Sequence, residues 1–171
     1  MLNITISILC YVLTSFYSLQ YQHSNGSTVN MSSYQGKKVL LVNIATNSPR
    51  VNQLAGLQQL QQQYGDSLVV IAFPSNSFGN ESRTDAEISQ YCHSNYNTSF
   101  LIAAKGAVTG SNPLQVYNWL SKSTENGDMN LVIGADFQKI LIAKDGSIQG
   151  VFSPKVDPMS DEIRTAIETS Y

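Results

Sequence analysis

The sequence predicts an α/β fold, and three stretches carry the prediction. Val39–Ala45 and Leu68–Phe73 are short, apolar and rich in β-branched residues, the composition of buried strands. Between them Leu54, Leu57 and Leu60 recur at a spacing of three, which marks one face of a helix. Strand, helix and strand in that order form a βαβ unit whose strands run parallel. The third stretch is Phe137–Ala143 and Ile148–Phe152 on either side of the turn Lys144–Ser147, the pattern of an antiparallel hairpin. Parallel and antiparallel strands together predict a central mixed sheet flanked by helices.

The remaining elements follow in order. The turn His23–Ser27 joins an opening strand to Thr28–Met31, an N-terminal β-hairpin. Ser33–Gly36 leads into the first central strand. Gln58–Gln63 reads as the solvated face of the first helix, because the leucines keep their helical spacing. After the second strand come a loop over Asn80–Thr84, a helix over Asp85–Tyr96 and a strand over Ser99–Ala103. Asn112–Ser121 holds a helix whose Trp119, the only tryptophan, is expected in the core. Ser123–Asn130 reads as a polar loop. Ile163 and Ile167 lie four apart on one face of a closing helix, Asp161–Ser170.

Composition bounds the functional classes. At 171 residues and 42% hydrophobic content the chain suits one domain with a proper core. Charged residues make up only 13% and the net charge is −2. There is no basic stretch of the kind that binds nucleic acid or an anionic membrane surface. His23 and His93 stand alone, outside any metal-ligand spacing, so neither a metal nor another cofactor is expected. Two cysteines, Cys10 and Cys92, are too few for a disulfide framework. Five N-x-S/T sequons, at Asn3, Asn25, Asn30, Asn80 and Asn97, occur in a chain rich in Asn, Ser and Thr, and do not establish glycosylation.

Three motifs carry a family resemblance. Gly36-Lys37-Lys38-Val39-Leu40-Leu41-Val42-Asn43-Ile44-Ala45-Thr46-Asn47-Ser48 is followed by Phe73-Pro74-Ser75-Asn76-Ser77-Phe78-Gly79. Ala135-Asp136-Phe137-Gln138-Lys139-Ile140-Leu141-Ile142 comes third, with Lys144-Asp145-Gly146 and Phe152-Ser153-Pro154 behind it. In this order the chain resembles the glutathione peroxidase family, a branch of the thioredoxin fold, from about Ser15 to the C-terminus. The resemblance implies a thioredoxin-like fold of glutathione-peroxidase type, with Ser15–Leu19 matching the family's opening strand. It also implies peroxide reduction in oxidative-stress defence, with glutathione or thioredoxin as the thiol reductant. The short polar link before the third motif implies a monomer.

The resemblance also locates a catalytic tetrad, and this sequence departs from it at every position. The family's cysteine or selenocysteine, glutamine, tryptophan and asparagine match Ser48, Ser77, Ala135 and Asp136. Peroxide reduction needs a thiolate or selenolate that is oxidised to a sulfenic or selenenic acid. A serine hydroxyl has no such oxidation state and does not ionise near neutral pH, whereas a thiol starts near ~8.5. A carboxylate at Asp136 would raise a neighbouring thiol's pKa, the reverse of what the reaction needs. Ser48 followed by Pro49 instead reads as the Ncap–N1 pair of the first helix. A serine-hydrolase role lacks the G-x-S-x-G elbow and a histidine partner.

Cys92 occupies a region where some thioredoxin-dependent members carry a resolving cysteine. Read from composition alone it is a small buried hydrophobe. The expectation is therefore a homologue that has lost peroxidatic activity and acts as a binding or interaction module. Ser48, Ser77 and Asp136 would converge on a small polar ligand. The alternative is a weak thiol peroxidase that uses Cys92. Residues 1–14, apolar and free of charge, form an N-terminal extension that reads as an export signal, an anchor or part of the fold. The domain itself spans 15–171, in the cytoplasm or exported according to which of these the extension is.

Overall fold

A computed structural model of the chain describes residues 13–169. Most of the expectation for 1–14 lies outside the described residues. Thr14 does not stand apart from the domain, however. Its amide donates to the Glu125 carbonyl at 2.8 Å, and its own carbonyl accepts from the Trp119 indole N–H at 2.6 Å.

Among the described residues, the twelve strands and α-helices are β1 (Gln20–Gln22), β2 (Thr28–Asn30), β3 (Lys38–Ile44), α1 (Gln53–Tyr64), β4 (Leu68–Pro74), α2 (Asp85–Tyr96), β5 (Leu101–Ile102), α3 (Gln115–Leu120), α4 (Ser123–Asn126), β6 (Lys139–Ile142), β7 (Ile148–Phe152) and α5 (Asp161–Glu168). β1 and β2 form the antiparallel N-terminal hairpin. The main sheet has five strands in the order β5-β4-β3-β6-β7. β3, β4 and β5 run parallel, while β6 is antiparallel to β3 and to β7. This is the mixed sheet that the apolar runs predicted.

Every residue of β3 is buried. The alternation of side chains along a strand divides them between two cores. Leu40, Val42 and Ile44 meet Leu54, Leu57 and Leu60 of α1, Ile88 of α2 and Ile163 of α5. Val39 and Leu41 face the other way, against Phe16, Tyr117, Trp119 and Leu120 and the hairpin residue Tyr21. Trp119 thus belongs to the core, with its ring 5.6 Å from that of Phe16.

Three expectations need correction. Ser15–Leu19 is not a strand. Phe16–Ser18 makes a 3-10 turn, closed by the Leu19 amide on the Phe16 carbonyl, and the strand follows at β1. The turn buries Phe16 against Trp119, which an extended segment would not. Ser123–Asn130 is not wholly loop, since Ser123–Asn126 forms the single turn α4. Asn126 explains why: its side-chain amide donates to the carbonyls of Trp119, Leu120 and Met129, tying the turn to α3. Finally, α1 starts at Gln53, five residues beyond Ser48, so Ser48 is not its N-cap.

Two buried lysines tie distant segments to the sheet. Lys38 Nζ donates to the Ala166 and Thr169 carbonyls, satisfying the open end of α5. Lys139, fully buried at the start of β6, donates to the carbonyl of Val156 at 2.7 Å and more weakly to that of Pro154. Burial lowers its pKa to about 8, with Arg50 lowering it further and Asp157 opposing.

Two tests follow from this packing. Leu57→Ala is expected to cost about 2–5 kcal/mol of stability, read by chemical denaturation, because Leu57 is fully enclosed. For Lys139 the folded pKa lies below the unfolded value, so between about 8 and 10.5 the unfolded chain holds more protons. Stability therefore rises with pH across that window. Denaturation midpoints of the parent protein, referred to those of Lys139→Met, should increase from pH 8 to pH 10.

Candidate functional site

The polar segments that the sequence singled out all leave one edge of the sheet. Because β3 and β4 are parallel, the turn after Ile44 and the loop after Pro74 emerge side by side. Because β6 is antiparallel to β3, the segment leading into it arrives at the same edge. Ser48, Ser77 and the pair Ala135–Asp136 occupy these three segments respectively. The end of a parallel sheet is where open α/β folds place ligands.

Ser48 lies in a chain of tight turns. Its amide donates to the Ala45 carbonyl, its carbonyl accepts from Val51, and its hydroxyl accepts a long 3.4 Å bond from the Arg50 amide. Only 3% of the residue is exposed. The hydroxyl thus serves an N-terminal backbone amide two residues on, as a cap would, but several residues before the helix begins. Pro49 cannot donate at the next position, and the turn winds on through Arg50 and Val51 before α1 starts.

The Ala135–Asp136 segment is held from β3. The Asn43 side-chain amide donates to the Ala135 carbonyl at 2.9 Å, and the Phe137 amide donates to the Asn43 carbonyl at 2.6 Å. Between these bonds Phe137 adopts φ 67°, the left-handed region, a conformation that costs free energy for an aromatic residue. Asp136 is buried. One carboxylate oxygen accepts from the Asn80 side chain at 2.7 Å, and the other finds no partner among the described residues. The Asn80 carbonyl accepts from the Asn47 amide. Asn80 therefore links the Asp136 segment to the residue before Ser48.

Ser77 faces elsewhere. Its hydroxyl accepts from the Ser75 hydroxyl at 2.9 Å and from the Val108 amide at 3.1 Å. Beside it opens a cleft of about 530 Å³, lined by Asn76, Ser77, Lys105, Gly106, Ser111 and Asn112 among others. The structure brings Ser48, Ser77, Ala135 and Asp136 to one edge. It joins Asn47, the residue before Ser48, to Asp136 through Asn80, and places Ser77 beside the cleft.

A buried polar network that the sequence did not reveal underlies the edge. Glu81, 1% exposed, accepts from the Thr46 amide at 2.6 Å, the Thr46 hydroxyl at 2.8 Å and the Arg83 amide at 3.1 Å. Arg83 Nη1 donates to Thr46 Oγ1 and Asn47 Oδ1, each at 2.6 Å, and its guanidinium lies 4.7 Å over the Tyr91 ring. In sequence these residues sit in the unremarkable loop Asn80–Thr84. The one available signal is an acidic and a basic residue two apart in the loop just before α2.

Cys92 lies on α2 within the core that contains Leu54 and Leu57. It is fully buried, and burial pushes its thiol up to about 12, with Glu81 raising it further and Arg83 opposing. Reactive thiols are exposed and electropositive, and this one is neither.

A family model described as glutathione peroxidase matches residues 16–121. The chain belongs to the glutathione peroxidase family. It is 35% identical to the glutathione peroxidase of Lactococcus lactis subsp. cremoris over 154 residues, covering 88% of this chain and 98% of that protein. It is also 35% identical to glutathione peroxidase-like peroxiredoxin 2 of Saccharomyces cerevisiae over 150 residues, covering 86% and 92%. The crystal structure of Trgpx in apo form superposes with a TM-score of 0.68 at 28% identity, covering 92% of this chain and 97% of that one. The fold is thioredoxin-like, of glutathione-peroxidase type.

The burial of Cys92 has a measurable consequence. With Cys10 replaced by serine, a thiol-reactive dye at pH 8 should label the native protein at least ~100-fold more slowly than the denatured one, because only opening exposes the thiol.

Proposed function

We propose that this member of the glutathione peroxidase family does not turn over peroxide and acts as a binding or interaction module built on the family scaffold. The observation that carries the reading is the chemistry of the turn after β3. The position matching the family's sulfur is Ser48, nearly buried and engaged with the turn's own backbone. A hydroxyl there cannot take oxygen from a peroxide and be regenerated by a thiol.

The surroundings support the same reading. Ser77 stands where the resemblance places a glutamine, and its oxygen is already engaged by Ser75 and Val108. Asp136 stands where the resemblance places an amide, and a carboxylate disfavours a thiolate nearby. The cleft beside Ser77 offers hydroxyl, amide and backbone groups with one cation, Lys105, which suits a small polar ligand. Glutathione or thioredoxin, the family's thiol reductants, are candidates for that surface.

A peroxidase centred on Cys92 requires the thiol to reach solvent and to ionise, and burial opposes both steps. The two readings separate in one assay. Consumption of hydrogen peroxide and of an organic hydroperoxide is measured with glutathione and with thioredoxin as reductants. The unmodified protein and Cys92→Ser are expected to show no turnover above background. Ser48→Cys is expected to gain slow, reductant-dependent turnover, since it restores the sulfur but not its partners. Turnover by the unmodified protein that vanishes in Cys92→Ser would overturn the proposal.

A further inference from the structure

Asparagine is followed by glycine twice in the chain, at Asn25-Gly26 and at Asn126-Gly127. Both glycines lie in the left-handed region, at φ 87° and φ 77°, so their backbone does not distinguish the two pairs. In such a pair the glycine nitrogen, with no Cβ beside it, can approach the asparagine side-chain carbon closely. What differs is how each asparagine is held.

Asn126 is clamped at both ends of its side chain. The nitrogen donates to the carbonyls of Trp119, Leu120 and Met129, and the oxygen accepts from the amides of Asp128 and Met129. Releasing it means parting α4 from α3. Asn25 stands instead at the exposed tip of the β1–β2 hairpin. Its side-chain oxygen accepts from the Ser27 amide at 2.9 Å and the Ser27 hydroxyl at 2.7 Å, while its nitrogen donates to nothing among the described residues. The Gly26 amide donates to the His23 carbonyl at 2.8 Å, a bond within the exposed tip, of the kind that local opening breaks.

We propose that Asn25 is a self-modification site at which the chain deamidates, with Ser27 assisting, while Asn126 is protected. The Gly26 nitrogen attacks the Asn25 side-chain carbonyl carbon and a C–N bond forms. The side-chain nitrogen leaves as ammonia, taking the proton that the Gly26 amide gives up. Water then opens the cyclic imide to aspartate or isoaspartate, so one water is consumed for each ammonia released. During the attack negative charge develops on the Asn25 side-chain oxygen, where both Ser27 donors already point, an arrangement that stabilises an oxyanion. The product carries one more negative charge than the −2 of the unmodified chain. That charge lies close to His23, which bridges to Ala103, two residues before Lys105 of the cleft. The site does not depend on the fate of the peroxidase chemistry.

The test is incubation of the full chain at pH 7 and pH 9, followed by peptide mapping with mass spectrometry that resolves aspartate from isoaspartate. Conversion at Asn25 should be faster at pH 9, yield isoaspartate, and outpace Asn126 at least about tenfold. In urea Asn126 should convert as well, because its clamp is gone. Ser27→Ala is read as the ratio of its native rate to its own rate in urea, which removes the effect of the altered sequence. That ratio should fall severalfold below the parent's, the worth of one hydrogen bond to the developing charge. The proposal is overturned if Asn25 stays unconverted at pH 9 or gives no isoaspartate. It is equally overturned if Asn126 keeps pace with Asn25 in the native protein, if Asn126 stays unconverted in urea, or if the Ser27→Ala ratio equals or exceeds the parent's.

Discussion

The structure depends on the burial of β3. This strand is covered on both faces and paired along both edges, with β4 on one side and β6 on the other. A strand so enclosed has no water to satisfy its backbone, so its neighbours must supply every partner. They do so with opposite polarity, one parallel and one antiparallel. That arrangement brings the exit of β3, the exit of β4 and the entry to β6 to one edge. The candidate site is a consequence of how β3 is satisfied.

The same requirement continues past the end of the strand. Asn43 spends both its side-chain amide and its carbonyl on the segment entering β6. Thr46 and Asn47, just beyond, are held by Glu81, Arg83 and Asn80. The Glu81 contacts to Thr46 are short and buried, and hydrogen-bonded networks of this kind are sensitive to the loss of a member. Together the three residues hold Thr46 and Asn47, the residues that lead into the Ser48 turn.

Position also decides what the Cys92 thiol can do. It lies within a packed core near the buried Glu81 carboxylate. Low dielectric and a like charge both disfavour the thiolate. The Tyr117 hydroxyl is a related case, a buried polar group with no hydrogen-bond partner among the described residues.

Much of the architecture was legible in the chain itself. The β-branched runs located β3 and β4, the leucine spacing located α1, and the Lys144–Ser147 turn located the β6–β7 hairpin, because burial imposes a period on each kind of element. The motifs around Ser48, Ser77 and Asp136 likewise carried the family. The start of α1, the 3-10 turn at Phe16 and the α4 turn were not legible, since each is settled by contacts with residues distant in sequence or by the geometry of a tight turn. The Glu81–Arg83 network and the direction in which Ser77 points were hidden for the same reason, whereas the burial of Cys92 was expected from the sequence. By itself the sequence determined which segments are buried and in what order they are joined, because hydrophobic periodicity is a local property. Only the tertiary structure decided which polar groups meet at the sheet edge and which lie enclosed, because those outcomes depend on pairs of residues that the chain keeps far apart.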